Sequence, residues 1–241
     1  NFTECKSHQR PNTHHSCHPR FRLVRKMKIR ADLALFVLSV ALFTLLPSID
    51  LWVASLFYDS GFFLKGHLLA VAIYKDFADM HFYLLPVLIV IAIYSYRKYQ
   101  DPEQSFLKRI YTFLSLSLVL GPGILVNVIL KDNSIGRARP SQITEFGGQA
   151  DFTRAFEYSG ACDSNCSFVS GHASMGFFFI GLGWLMQSKR WFYIGFGIGV
   201  IVGITRIVQG GHFLSDTVFA LWAVYWVNMG LGKILKIKSP I

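Results

Sequence analysis

This chain has little charge. Only 16% of its 241 residues are Asp, Glu, Lys or Arg, against 52% hydrophobic, and mean hydropathy is +0.39. That balance excludes an ordinary soluble domain, and several uncharged runs approach the length of a bilayer crossing. Acidic residues are the scarcer kind, 14 against 24 Lys and Arg, for a net charge of +10. A basic surplus could signal a nucleic-acid partner, but its distribution argues against one. Eight basic residues lie in 1–30; the rest of the bias sits at Arg97, Lys98, Lys108, Arg109, Lys189, Arg190, Lys233, Lys236 and Lys238. An even number of spans puts all of these on one side, the positive-inside pattern that marks that side as cytoplasmic. There is no internal repeat. The apolar run at 33–46 follows a basic stretch as in a signal peptide. No small-x-small site follows it, so it reads as a retained first span. Cysteines number four. Cys5 and Cys17 fall on the cytoplasmic arm, where thiols stay reduced; Cys162 and Cys166 fall on the opposite side, where a disulfide is possible.

What is present reads as an all-α integral membrane protein, a six-transmembrane-helix bundle in one domain. Residues 1–30 form a basic arm with Pro11 and Pro19, expected to be unstructured. Its histidines, His8, His14, His15 and His18, read as a solvated tail rather than a metal tract. From Met27 the order Met-Lys-Ile-Arg-Ala-Asp looks like a membrane-protein start, so 1–26 are expected to add nothing to catalysis. Residues 31–235 carry the spans and 236–241 a cytoplasmic tail. The spans are expected at about 33–49, 82–96, 110–130, 168–186, 191–205 and 213–232. An aromatic-rich amphipathic segment at 51–75 should lie at the outer interface. Gly121-Pro122-Gly123 should kink or closely pack the third span, and 131–167 form a long outer loop.

Against this background the charges near span ends stand out, because ionisable groups at a membrane are costly and mark function. Between two apolar runs lies Thr205-Arg-Ile-Val-Gln-Gly-Gly-His-Phe-Leu-Ser-Asp216. The Gly210-Gly211 pair ends one helix and the next should start near His212. His212 and Asp216 are then four apart on one helical face, so the carboxylate can hold one ring nitrogen and leave the other to react. Arg206 ends the preceding helix and suits a phosphate. Lys131, Arg137 and Arg139 follow the third span, on the side where cations are otherwise sparse. Ser170-Gly171-His172 opens the fourth, with Ser170 a good N-cap and the next amides free to hold an anion. With six spans all three segments meet at one face, so Lys131, Arg139 and Arg206 form a cationic cradle beside two histidines. Such a cradle fits a tetrahedral dianion, and phosphoryl transfer needs positioning and charge neutralisation above all.

These segments resemble the signature of the type-2 phosphatidic acid phosphatase superfamily: Lys-x6-Arg-Pro, Pro-Ser-Gly-His and Ser-Arg-x5-His-x3-Asp. Three departures occur. Seven residues separate Lys131 from Arg139, Val169 stands at the motif Pro, and Thr205 stands at the motif Ser, keeping its hydroxyl. Within the superfamily, 136–140 with Glu145-Phe-Gly-Gly148 and Cys162-Asp-Ser-Asn-Cys-Ser-Phe-Val-Ser-Gly-His172 is similar to bacterial lipid A phosphatases. Gln209-Gly-Gly-His-Phe-Leu-Ser-Asp216 is similar to those acting at the 4′ position, and enzymes of the 1 position share much of it. The resemblance implies an inner-membrane, multi-pass enzyme whose periplasmic site hydrolyses a lipid phosphate monoester. It assigns His212 as nucleophile, Asp216 as its orienting carboxylate and His172 as acid. Lys131, Arg139, Arg206, Ser170 and Gly171 hold the phosphoryl oxygens, with Arg137 and Thr205 auxiliary. No metal or cofactor is implied, and the partners are the lipid phosphate and membrane lipids. The same chemistry on phosphatidylglycerol phosphate, phosphatidate or a polyprenyl diphosphate is a second reading. A non-catalytic anion- or lipid-binding membrane protein is a third, and a zinc hydrolase using His172, His212 and Asp216 a fourth. The complete His/His/Asp set weighs against the third, and three neighbouring cations against the fourth.

Overall fold

The computed structural model describes residues 20–98, 105–131 and 135–241, with side chains described from residue 31. The expectations for Cys5, Cys17 and the four histidines of the arm lie outside the described residues. The chain divides into two units, Asn1–Leu38 and Ser39–Ile241. In the first, the described part is helix α1 (Arg20–Leu45), which continues into the second. It already covers 20–30, part of the arm expected to be unstructured. That stretch contains neither Pro nor Gly, and the last arm proline, Pro19, immediately precedes the helix, where proline is tolerated.

The second unit is all-helical, with no strand among the described residues. Its helices are α2 (Ser48–Ser55), α3 (Leu68–Lys98), α4 (Ser105–Leu118), α5 (Gly171–Phe177), α6 (Leu182–Leu185), α7 (Lys189–Val208) and α8 (Leu214–Ile234). The first expected span is bent: Ala31–Leu45 and Ser48–Ser55 meet at 81°. The break falls at Leu46-Pro47, because proline disfavours a helical residue before it. The second begins well before 82. α3 starts at Leu68 and absorbs about a third of the segment expected at the interface, since Lys75, Asp76 and Asp79 stay on its exposed surface and no Gly or Pro interrupts it before Pro86. The third runs on from α4 as a π-helix, Val119–Lys131, around Gly121 and Pro122. The fourth is broken, with a 3-10 turn at Phe178–Gly181 between α5 and α6.

Among the described residues, three helices suffice by length and composition to cross a membrane: Leu68–Lys98, Ser105–Lys131 and Lys189–Val208. The bent pair makes a fourth if it is one span. The protein is thus a multi-pass membrane protein. α5 and α6 are too short to be counted, and α8 carries Asp216, Asn228 and several Trp and Tyr in place of aliphatic residues.

Packing of α5 on α7 depends on glycine. A Cβ on Gly199 would lie 2.0 Å from the Phe177 ring, and one on Gly195 would lie 2.0 Å from the backbone oxygen of Phe179. Small residues let membrane helices approach backbone to backbone. The segment 135–170 is not a bare polar loop. Ala138, Ile143 and Phe146 form a core with Ala54, Phe62 and Phe213, the residue that precedes α8.

Candidate active site

The site gathers at the ends of four helices. α7 stops because Gly210 takes a left-handed turn, φ +68°, with Gly210 N–H donating to Ile207 and Gly211 N–H to Arg206. The turn aims the chain at His212, whose ring is wholly buried. α8 then begins at Leu214, so His212 precedes the helix rather than sharing a face with Asp216 as the spacing predicts. Its Nδ1 lies 2.7 Å from the Ser167 carbonyl and 3.6 Å from Asp216 Oδ2. The hydrogen-bond partner is therefore the backbone, and Asp216 is an electrostatic neighbour. A carbonyl can only accept, so Nδ1 carries the proton and Nε2 keeps its lone pair. Burial pushes the His212 pKa down to about 4, with Asp216 pulling the other way, so the ring is neutral near neutral pH.

Asp216 is held from three sides. Its Oδ1 accepts from Arg137 Nη1 at 2.7 Å, and its Oδ2 accepts from the Ser167 hydroxyl and the Phe213 N–H. The backbone carbonyl of Asp216 also accepts from Ser170 N–H at 3.1 Å, tying the start of α8 to that of α5. Ser170 caps α5, its hydroxyl accepting from Ala173 N–H. Lys131 Nζ lies 3.5 Å from where a Cβ on Gly171 would stand, which places it at the same helix start.

Tyr74 of α3 forms a wall. Its ring stacks on His172 at 4.6 Å between centroids, and the Arg206 guanidinium carbon lies 4.5 Å from its centroid. Arg206 is buried and donates to Gln209. A Cβ on Gly211 would lie 2.3 Å from Arg206 Nη2, so that glycine makes room for the guanidinium. Arg139 donates to the Asn165 carbonyl at 2.8 Å. Burial lowers its pKa, opposed by Tyr74 and Asp216. His172 lies within electrostatic reach of Arg206, His212, Lys131 and Arg139. The structure thus brings together His172, His212, Asp216, Lys131, Arg139, Arg206, Ser170 and Gly171.

Two residues do otherwise. Arg137, read as an auxiliary phosphate ligand, is fully buried and spends its guanidinium on Asp50, Asp216, Ser215 and the Thr153 carbonyl. It faces the two carboxylates because their charges compensate its burial. The Thr205 hydroxyl donates to Ile201 one turn back within α7. Cys162 and Cys166 are joined, with Cα atoms 5.6 Å apart.

Sequence reasoning missed Asp50, Ser167, Ser215, Gln209 and Tyr74. The only signal was Asp50 itself, a carboxylate at the end of an apolar run. Among the described residues no three His, Cys, Asp or Glu side chains converge on a metal position. The feature that points to chemistry is a pair of imidazoles: Nε2 of His172 and Nε2 of His212 are both buried without a hydrogen-bond partner in the protein. Buried polar atoms are normally satisfied, so two such atoms beside a cationic cradle mark where a ligand's phosphoryl group belongs.

A family model described as the PAP2 superfamily matches residues 111–230. The lipid A 4′-phosphatase of Francisella tularensis subsp. novicida is 32% identical over 196 residues, covering 76% of this chain and 87% of that protein. That of Rhizobium leguminosarum is 32% identical over 196 residues, covering 74% and 84%. The lipid A 1-phosphatase of Rhizobium etli is 32% identical over 112 residues, covering 46% and 44%. No solved structure matches at a significant level.

Proposed function

Because the chain belongs to the PAP2 superfamily and is a phosphoric monoester hydrolase, we propose that it removes a phosphate from lipid A, at the 4′ position. The position rests on extent: relatives named for 4′ align over 194 to 196 residues and those named for 1 over 112 to 116. The observation that carries the mechanism is the pair of unpartnered Nε2 atoms on His172 and His212.

In this reading Lys131, Arg139 and Arg206, with Ser170 and the amides of Gly171 and His172, hold the phosphoryl oxygens. They offset the charge that spreads over those oxygens in the transition state. Neutral His212 attacks phosphorus through Nε2, and the bond from phosphorus to the sugar oxygen breaks. The new phosphohistidine is cationic at the ring, and Asp216 stands 3.6 Å from Nδ1 to stabilise it. His172 gives its proton to the leaving oxygen; a bound dianion beside it favours the protonated ring. Water activated by the same residue then cleaves the phosphorus–nitrogen bond and releases phosphate. The site faces the periplasm of a bacterial inner membrane in a six-span bundle. Residues 31–235 form the phosphatase domain, and 1–26 take no part in the chemistry.

Mass spectrometry of lipid A from cells with and without the protein tests the substrate. Loss of the 4′-phosphate is expected. Loss of the 1-phosphate would move the assignment to that position, and unchanged lipid A would remove it. For the mechanism, purified His212→Ala should release no phosphate; near-normal release would take His212 out of the nucleophile's role.

A further inference from the structure

Asp50 lies on α2, outside the 111–230 stretch that matches the family model, yet it reaches the centre of the site. It is 1% exposed. Its Oδ1 accepts from the Ser215 N–H at 2.8 Å, an otherwise orphan amide in the first turn of α8. Its Oδ2 accepts from Arg137 Nη2 at 2.9 Å and from the Ser215 hydroxyl. Arg137 lies between Asp50 and Asp216, with its guanidinium carbon 4.2 Å from the Phe213 ring centroid and 5.5 Å from that of Phe152. One cation therefore serves two buried carboxylates behind aromatic rings. Buried ions are costly unless matched, and a dedicated one-to-one pair would be the cheaper arrangement. Here two carboxylates share one guanidinium, and the reacting ring is next to them. His212 is 3.6 Å from Asp216 Oδ2.

We propose that Asp50 is a positioning residue for phosphoryl transfer. It takes half of the Arg137 fork and pins the start of α8. Asp216 is thereby left only partly neutralised and stands ready for the cation that forms on His212. Without the Asp50 carboxylate, both ends of the Arg137 fork turn to Asp216, and the anion that should answer the phosphohistidine is already satisfied. The inference deepens the proposed mechanism and rests on His212 being the nucleophile.

The test uses the full chain in detergent and lipid A labelled with ³²P, with the acid-labile phosphoenzyme trapped in single turnovers. Asp50→Asn keeps the side chain's size and an acceptor for the Ser215 N–H but removes the charge. Phosphoenzyme should form roughly 10- to 100-fold more slowly, as for partners one step behind a reactive group, with KM unchanged. The acid limb of kcat should move to lower pH, because a negative charge near His212 is gone. The other charged or titratable groups facing that ring remain: Asp216 on α8, Arg206 on α7, Arg139 in the segment 135–170 and His172 on α5. Asp50→Asn added to Arg137→Gln should cost little more than Arg137→Gln alone, since the two act as one unit. If Asp50→Asn does not fold, Arg137→Lys decides: it keeps the cation, loses the fork and should slow trapping to a similar degree.

Trapping at the wild-type rate with an unmoved pH profile overturns the role of Asp50, as does a loss confined to thermal stability or KM. Wild-type protein that turns over without any trapped phosphohistidine overturns the mechanism itself, and Asp50's part with it.

Discussion

The His212 ring is 0% exposed, and burial sets its pKa at about 4, below the 6.5 of a free histidine. The unfolded chain therefore takes up a proton at this position first as pH drops. The stability this gives the fold is fully present above pH 6.5 and is lost as pH falls towards 4, a swing on the order of 3 kcal/mol. Thermal unfolding in detergent should show the wild-type midpoint falling across that window, and His212→Gln should flatten the fall. A second residue-scale expectation concerns Tyr74, stacked on His172 and Arg206. Tyr74→Ala should lower kcat about 3- to 10-fold, the value of one aromatic contact, while Tyr74→Phe stays near wild type. Equal loss in both variants would mean that the hydroxyl, not the ring, matters. The contrast between these two residues explains what the sequence could tell. His212, Asp216, Arg206, His172, Lys131 and Arg139 are legible because ionisable groups beside apolar runs need a reason. Tyr74 hides in an aromatic-rich stretch, Asp50 looks like one more interfacial charge, and Ser167 and Ser215 are hydroxyls whose partners lie far off in sequence.

At the scale of elements, hydropathy located apolar runs but not where helices break. The third span is legible as 21 uncharged residues, and the structure has Ser105–Lys131 there. The bend at Pro47 and the 3-10 turn at Phe178–Gly181 arise from local backbone geometry and packing, which an average over many residues erases. The glycines of α7 decide that packing. Gly195→Ala drives a methyl into the Phe179 carbonyl, which as backbone cannot step aside. The expected cost is about 1–3 kcal/mol, read as a lower unfolding temperature. Gly211→Ala meets only the far end of the Arg206 side chain. Its effect should appear as weaker phosphate release with an unchanged melting point. A melting point that falls as far as that of Gly195→Ala would deny Gly211 its place as room for the guanidinium.

For the whole molecule, the proposed mechanism has three permanent cations beside the histidines do what a dication does elsewhere, so lipid dephosphorylation in detergent should survive EDTA. Activity lost to chelation and restored by zinc would replace the histidine mechanism with a metal one. The ends of α3 differ in what surrounds them. Only 6% of its most apolar stretch is buried, against 39% for Ser105–Lys131 and 50% for α7. Much of that stretch therefore lies on the surface of the helical body, while its first turns carry Tyr74 to His172 and Arg206. At about 1.5 Å per residue its 31 residues run to roughly 46 Å, enough to span a hydrocarbon core of about 30 Å with Lys75, Asp76 and Asp79 at the level of the headgroups. Such a helix answers hydrophobic mismatch by tilting, and its tilt moves the ring at its end. Membrane thickness is then expected to act on turnover. In vesicles of graded acyl-chain length, kcat should pass through an optimum, and Tyr74→Ala, which uncouples the helix from the site, should flatten it.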